Sequence, residues 1–413
     1  MQSFEEILTS TIRSASLPPR QLGEGECQSP TRQRCRLCHA VNLDYTNEIR
    51  LKNQALQQFW KTLRTGSRLE PLVPSPLGRN YRTTTKRRVF RFRDTVRLGL
   101  ISPNEAGELK PFSVVQCAIE PGDHARIYHQ VQESIVKPYA KKLAKVLNHV
   151  VIKGNYSEQT IIFNVEEISS EATHAANTLS KSLTKKFPGI VGVFLYEDSS
   201  SPGYYLGSSD QKTQQPFKKL FGKPEIFHRT MGRSFLFSPL SFSQINQSIL
   251  DSMMQRAKEL LQPTKESTLF DLYCGYGVFA LCLSDTVRSV IAAEVSGPSI
   301  ESAIANARRQ KAANVRFLRA DINGETIERI MKSGTRRDIV LLDPPRKGTA
   351  EGVIESIAAR KPRRVLHLFC EIDLIAKELK RWEKAGYTPT RGIPFDMFPG
   401  TATMETMVLL EPA

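Results

Sequence analysis

From about residue 239 onward the apolar positions gather into short runs, TLFDL, RSVIAAEV, NVRFLRADI, DIVLLD and RVLHLF, separated by stretches of helical length. Short runs rich in Val, Ile and Leu read as buried strands. Their regular alternation with helices predicts a doubly wound α/β sheet, which takes its ligand at the carboxyl ends of its strands. The segment SFSQINQSILDSMMQRAKELL ahead of the first run reads as a helix.

The chain before residue 239 has a different pattern. Residues 45–63 carry Ile49, Ala55, Leu56, Phe59 and Leu63 at helical spacing, so one amphipathic helix is expected there. Residues 68–80 are Pro-rich and read as a loop or linker. Residues 79–99 alternate in part and read as a basic strand or hairpin. Between about 130 and 237 come a helix, strands such as QTIIFNV and GIVGVFLYE, and a Ser/Gly-rich turn, which together suggest a compact α+β region. The expected organisation is a cysteine-rich segment at 1–44, a helix at 45–67 packing on the catalytic domain, an α+β region at 68–238, and the α/β domain at 239–413.

Charge narrows the choice of partner. Lys and Arg total 58 against 42 Asp and Glu, a formal charge of +16, which favours a polyanion such as nucleic acid. In the basic hairpin Arg82, Arg87, Arg88 and Arg91 sit among Tyr81, Phe90 and Phe92, which places stacking rings beside phosphate-binding groups and suits RNA. The competing reading is an ordinary solvated face. No apolar run approaches the length of a membrane span, and MQSFEEILTS carries acids where a signal peptide would carry a basic start. The expected location is therefore the cytoplasm, where seven cysteines stay reduced.

Three groups of residues carry candidate chemistry. Cys27, Cys35 and Cys38 have the spacing Cys-x7-Cys-x2-Cys, and the x2 pair lets two thiolates reach one centre from a tight turn. Cys117 is the candidate fourth ligand. A [4Fe-4S] cluster and zinc both fit, with His39 keeping zinc open, and a trio that binds nothing is the remaining alternative. The turn after the first C-terminal run, Asp271-Leu-Tyr-Cys-Gly-Tyr-Gly277, lets a backbone approach a nucleotide-like ligand through Gly275 and Gly277. It lacks the full G-x-G-x-x-G of a dinucleotide site. Glu294 and Asp321 end the next two strands, where carboxylates accept from ribose and base, so S-adenosylmethionine suits the site better than NAD. Finally, Cys370, Glu405 and the segment LLDPPRKG at 341–348 supply a thiol, a carboxylate and a tight turn, a set able to attack and deprotonate an electron-poor ring.

The motifs SFSQIN, DLYCGYGVFAL, the acid of AAEVS, LLDPPRKG, the Cys of LHLFC and the Glu of MFPGTATMET resemble, in order and spacing, those of the RNA (uracil-5-)-methyltransferases. The front of the chain resembles the iron-sulfur members that act on 23S ribosomal RNA. With 26 residues ahead of Cys27, the N-terminal TRAM barrel of some members is not expected. The resemblance implies a Rossmann-like class I methyltransferase sheet preceded by an α+β RNA-recognition region and an Fe-S cysteine motif. It assigns S-adenosylmethionine binding to Gln244, Tyr273, Glu294, Asp321 and Asp343, places Asp343 beside the uracil as well, and makes Cys370 the nucleophile and Glu405 the base. Arg346 of the DPPR turn is expected to face RNA. The implied partner is ribosomal RNA, with no membrane and no DNA, acted on by a monomer. The alternatives are a tRNA-directed enzyme and a protein that binds cofactor and RNA without catalysis. The sequence departs from the family pattern at Glu371, where Asn is usual after the Cys, and at Val278, Gly400 and Thr403. An acid next to the thiol is expected to raise its pKa.

Overall fold

The computed structural model describes residues 2–17, 27, 35, 37–93, 95–103, 108–198, 216–332 and 335–413. Two helices open the chain. Ser3 caps the helix Phe4–Ser14 in a reciprocal pair with Glu6, and the helix buries Phe4, Ile7 and Leu8. The helix expected at 45–63 spans Tyr45–Leu63, starts on the Asp44 side chain and ends at Arg64 in the left-handed conformation. Phe4 meets Phe59 edge-on at 6.0 Å. Both helices bury their apolar stripes against the C-terminal sheet, in one core with Val340, Val365 and Trp382.

The Pro-rich stretch after them is not a free linker. It forms a short strand, β1 (Arg68–Leu69), on the edge of the C-terminal sheet, and Val73 bridges Phe395 of that sheet. Glu70 fixes this register: its carboxylate takes Arg391 from the sheet and Arg256 from the neighbouring helix.

A seven-stranded sheet follows, built from β2 (Thr84–Phe92), β3 (Thr95–Pro103), β4 (Leu109–Phe112), β5 (Leu147–Gly154), β6 (Gln159–Val165), β7 (Ile190–Glu197) and β8 (Phe217–Gly222). Its order is β4-β3-β2-β5-β6-β7-β8. All pairs are antiparallel except β6 and β7, which are joined by the helix Ser170–Lys186. That helix and Gly122–Ile135 cover one face, burying Ile127, Val131, Leu179 and Leu183 against Val150, Ile152 and Phe163. The hairpin β9 (Ile226–Thr230) and β10 (Arg233–Phe237) packs away from this sheet. Phe237 stacks on Tyr276 at 4.5 Å, and Asn306 bonds both the amide and the carbonyl of Leu236, so the hairpin sits on the C-terminal domain.

The C-terminal sheet comprises β11 (Thr268–Leu272), β12 (Ser289–Glu294), β13 (Val315–Arg319), β14 (Ile339–Leu342), β15 (Arg364–Phe369), β16 (Tyr387–Phe395) and β17 (Glu405–Pro412), with β1 at its edge. The order is β1-β16-β17-β15-β14-β11-β12-β13. Strands β11 to β15 are parallel, and β17 inserts antiparallel between β15 and β16. Helices cover both faces, which is why these strands read as continuous apolar runs. Among the described residues, no helix is long and apolar enough to cross a membrane.

Candidate active site

The carboxyl ends of β11, β12, β14 and β15 lie side by side, and each delivers one or more functional side chains. Strand β11 runs into a turn in which Tyr273, Gly275 and Gly277 all have positive φ. A Cβ on Gly277 would stand 2.7 Å from the Phe317 ring, so only glycine fits there, whereas the space beside Gly275 is open. Glu294, at the end of β12, accepts from the backbone amides of Gly275 at 3.1 Å and Ser296 at 2.8 Å. Its carboxylate is thereby fixed against the turn.

Acids accumulate here, and the charges that act on Asp271 and Asp343 are those of other carboxylates. Asp271 is buried with one carboxylate oxygen on the Ala280 amide and the other unpartnered, and burial pushes its pKa up to about 8. Asp343, half-buried just after β14, is pushed up to about 7, first by burial and then by the charge of Glu294. The Tyr273 hydroxyl is raised by burial and then by Asp321, Glu378 and Glu294, while Asp321 itself is exposed beyond β13. An open glycine turn ringed by carboxylates, one of them with an orphaned oxygen, fits a cationic nucleoside such as S-adenosylmethionine. Gln244 lies half-buried on the seam between the two sheets, where Thr83 binds the neighbouring Ile245 carbonyl through both its amide and its hydroxyl.

The reactive pair follows from strand register. Phe369 of β15 pairs with Thr406 of β17, so the next step along the two antiparallel strands sets Cys370 against Glu405. The half-buried thiol leans toward the Pro344 carbonyl at 3.9 Å. Cys370 is pushed up to about 12 by burial, then by Glu405 and Asp343, and Arg346 opposes the shift. Glu405 is raised well above the usual carboxylate range by burial and Asp343, again against Arg346, and one of its oxygens is buried without a partner. Exposed Arg346 therefore stands as the cation over a thiol and two carboxyls. The expected effect of Glu371 on the thiol is not found: the acids acting on Cys370 are Glu405 and Asp343, whereas Glu371 acts on Glu405. The Glu371 carboxyl is itself raised, first by burial, with Arg346 opposing the shift and Asp373 adding to it.

Sequence reading missed Glu378, which holds the DPPR turn. It is buried and accepts from the Thr349 amide at 3.2 Å and from the Thr349 hydroxyl, and Arg381 pairs with it. A carboxylate in a helix whose partner lies 29 residues away in a loop leaves no local signal. Pro344, Arg346, Gly348, His367, Cys370 and Leu374 line a small cleft beside the thiol.

Of the arginines expected to face RNA, Arg87 does not. It points inward, 2% exposed, in a two-bond pair with Glu120, because strand alternation turns it toward the helix Gly122–Ile135. Arg91 is exposed but its guanidinium binds the carbonyls of Ala144 and Leu147. Arg82 is half-buried, with its Nε on the Thr84 carbonyl. Arg88 remains on the open face.

The cysteine group is drawn together in part. Burial and the neighbouring Cys35 and Cys27 push the Cys38 thiol up to about 12, and Cys38 in turn acts on Cys117, which burial and Glu120 raise. Cys117 lies in the loop after β4 and not at the end of a strand. His39 turns its Nε2 to Glu5 at 2.9 Å and keeps its buried Nδ1 without a hydrogen-bond partner. Among the described residues, no group of three or more His, Cys, Asp or Glu side chains is gathered closely enough to hold a metal ion.

Residues 226–413 match the family model described as tRNA (Uracil-5-)-methyltransferase. An uncharacterized RNA methyltransferase of Thermotoga maritima is 27% identical over 91% of this chain and 82% of its own length. One from Clostridium tetani is 25% identical over 91% and 81%. The Pyrococcus abyssi tRNA (uracil-54, C5)-methyltransferase, solved with S-adenosyl-L-homocysteine, shares the fold with a TM-score of 0.67 at 20% identity, over 90% of this chain and 85% of that one. The sheet is a mixed α/β methyltransferase fold, and the family match supports S-adenosylmethionine as its cofactor. More particularly, the family match and these relatives point to an RNA (uracil-5-)-methyltransferase.

Proposed function

We propose that the enzyme makes 5-methyluridine in RNA by covalent catalysis, with Cys370 as nucleophile, Glu405 as base and Asp343 between the cofactor turn and the uracil. The observation that carries this reading is the convergence of Cys370, one residue past β15, with Glu405 at the start of β17 and Asp343 one residue past β14. Gln244, Tyr273, Gly275, Gly277, Glu294 and Asp321 are the proposed cofactor contacts. S-adenosylmethionine, when bound, supplies an electrophilic methyl carbon on a sulfonium.

The protein residues carry the remaining steps. The Cys370 thiolate forms a bond to C6 of uracil, which moves an electron pair onto C5, and C5 would take the methyl group as the sulfonium S–CH3 bond breaks and S-adenosylhomocysteine leaves. The Glu405 carboxylate then removes the C5 proton. The C5–C6 double bond re-forms and the C6–S bond breaks, returning the electron pair to Cys370 as thiolate. Arg346 offsets negative charge at Cys370 and Glu405, and without it both groups would be held further toward their neutral forms. The target base must be unstacked for the thiol to reach C6. RNA containing 5-fluorouridine tests this chemistry, because C5 then has no proton to lose. The expected result is a covalent protein–RNA complex that survives denaturation, and its absence would remove the covalent reading.

For the RNA surface we propose the outer face of the β2–β3 hairpin. Arg88 stands over Phe90 at 5.9 Å and Arg97 over Phe92 at 5.8 Å, and Phe92 is 50% exposed. This face offers charge and ring stacking to unpaired nucleotides. The Arg88→Ala/Arg97→Ala double variant should raise KM for RNA about tenfold and lower the slope of affinity against salt by about 1 to 2, with kcat kept. Arg87→Gln should instead cost about 3 kcal/mol of stability with little change in KM, since it breaks a buried pair. Equal RNA affinity for the double variant and wild type would remove the surface.

The likeness of the cysteine-bearing front points to ribosomal RNA as substrate. The family description and the Pyrococcus abyssi neighbour both name tRNA, so tRNA is the second reading. Methyl transfer to purified ribosomal RNA and tRNA, assayed separately, decides between them. From the likeness of the front of the chain we also propose that Cys27, Cys35, Cys38 and Cys117 hold a [4Fe-4S] cluster, for which the thiols must draw closer together than they stand. Anaerobic purification should yield a brown protein whose colour is lost in Cys38→Ser. Colourless protein with stoichiometric zinc would overturn the cluster.

A further inference from the structure

The loop from Asp396 to Thr403 that leads into Glu405 is gripped by residues far away in sequence. The helix Tyr45–Leu63 contributes Glu48 and Lys52, both fully buried. Glu48 accepts from the Gly400 amide, from Lys52 at 2.7 Å and from Arg79 at 2.9 Å. Lys52 also reaches Asp396 at 2.8 Å. The Tyr81 hydroxyl donates to the Pro399 carbonyl at 3.0 Å, and the Ala40 amide to the Gly400 carbonyl at 3.0 Å. Gly400, at φ +86°, turns the chain at the centre of this grip.

A buried set of two carboxylates and two cations is a poor source of stability, because desolvation cancels most of the attraction. It does fix geometry, since displacing any member leaves a buried charge uncompensated. The fixed point is close to the chemistry. Only residues 401–404 separate Gly400 from Glu405, and Met404 is locked in the core. Except for Asp396, Pro399 and Gly400, which belong to the gripped loop itself, every residue named in the grip lies outside the span 226–413 that matches the family model. The catalytic domain therefore borrows the support of its base from the N-terminal part of the chain.

We infer that Glu48, together with Lys52, Asp396 and Tyr81, is a positioning clasp for Glu405, acting on removal of the C5 proton and not on the addition of Cys370. The inference rests on the reading of Glu405 as base. Cys370 directly follows β15, and its own neighbouring turn is held by Glu378 on another helix. Loosening the clasp should therefore leave the first bond-forming step intact.

The test uses the full-length enzyme with Glu48→Gln and, as a milder variant that removes no charge, Tyr81→Phe. On 5-fluorouridine RNA, where no proton leaves C5, both variants should trap covalently at the wild-type rate. On ordinary RNA with S-adenosylmethionine, kcat should fall about 10- to 100-fold in Glu48→Gln and about tenfold or less in Tyr81→Phe, with KM within about twofold. A methylated covalent protein–RNA species should accumulate on denaturing gels. Wild-type kcat in folded variants, loss of fluorouridine trapping, or slow turnover without the covalent species would each overturn the clasp. Failure of wild type to trap fluorouridine RNA would instead overturn the underlying reading of the active site.

Discussion

A Cys370→Ala variant transfers no methyl group to RNA and forms no adduct on 5-fluorouridine RNA, with a rate more than about 10⁴-fold below wild type. The loss is this large because neither of the other two thiols of the C-terminal domain can take over. Cys274 is buried inside the cofactor turn, and Cys282 lies on the helix behind it. Folding should be unaffected, since the Cys370 side chain makes one weak contact, with the Pro344 carbonyl. Thermal unfolding and RNA binding therefore stay near wild type, and gel-shift and melting assays check both. A pH signature follows from the same surroundings. Burial, Glu405 and Asp343 hold the thiol up to about 12 in the free enzyme, so little thiolate exists at neutral pH. The thiolate fraction grows with pH, and so does the ionised fraction of Glu405, which is also raised. Both effects have the same sign, so kcat/KM should climb from pH 7 to 9, and a profile flat over that range would contradict it.

The second large effect is a stall. Glu405→Gln keeps the shape of the side chain and removes its basicity, so addition and methylation proceed while the C5 proton stays in place. Turnover should fall about 10²- to 10⁴-fold, and ordinary RNA should accumulate as a covalent, methylated complex. The same substitution should stabilise the fold. The Glu405 carboxyl is buried with one oxygen unpartnered and its pKa is raised, so above the unfolded carboxylate range the native state binds more protons than the unfolded one. Stability then decreases as pH rises, and replacing the acid with a neutral amide removes that cost. A melting temperature about 2–4 °C above wild type at pH 8 is expected, the size of shift that 1 kcal/mol produces. Full turnover in Glu405→Gln, or loss of fluorouridine trapping, would contradict its role as base.

The parts of the molecule that were legible in the sequence are those written locally. The apolar runs of β11, β12, β14 and β15 announce themselves because both faces of the sheet are covered, and the helix Tyr45–Leu63 because its stripe faces a core. The glycine turn, the DPPR segment, Cys370 and Glu405 stand at the ends of such elements, so order along the chain places them. What stayed hidden depends on partners far away. The arginines at 82–93 read as one basic run, and only the pairing of Arg87 with Glu120, 33 residues on, shows which face is buried. Lys52 meets Asp396 across 344 residues, and neither side chain signals the other. The stretch after residue 67 reads as a linker because its prolines break local patterns. Its strand pairing is supplied by β16 and by the Arg391–Glu70 contact. The Phe4–Ser14 helix is short and acid-rich, and becomes recognisable through the core it covers.

The central claim is that C5 of uracil in RNA receives the methyl group through Cys370. The most direct measurement incubates wild type and Cys370→Ala with methyl-labelled S-adenosylmethionine and RNA from cells lacking the gene, then digests the RNA to nucleosides for chromatography and mass spectrometry. The account predicts label in 5-methyluridine with wild type and none with Cys370→Ala. Label in any other nucleoside, or 5-methyluridine formed equally by both proteins, would contradict it.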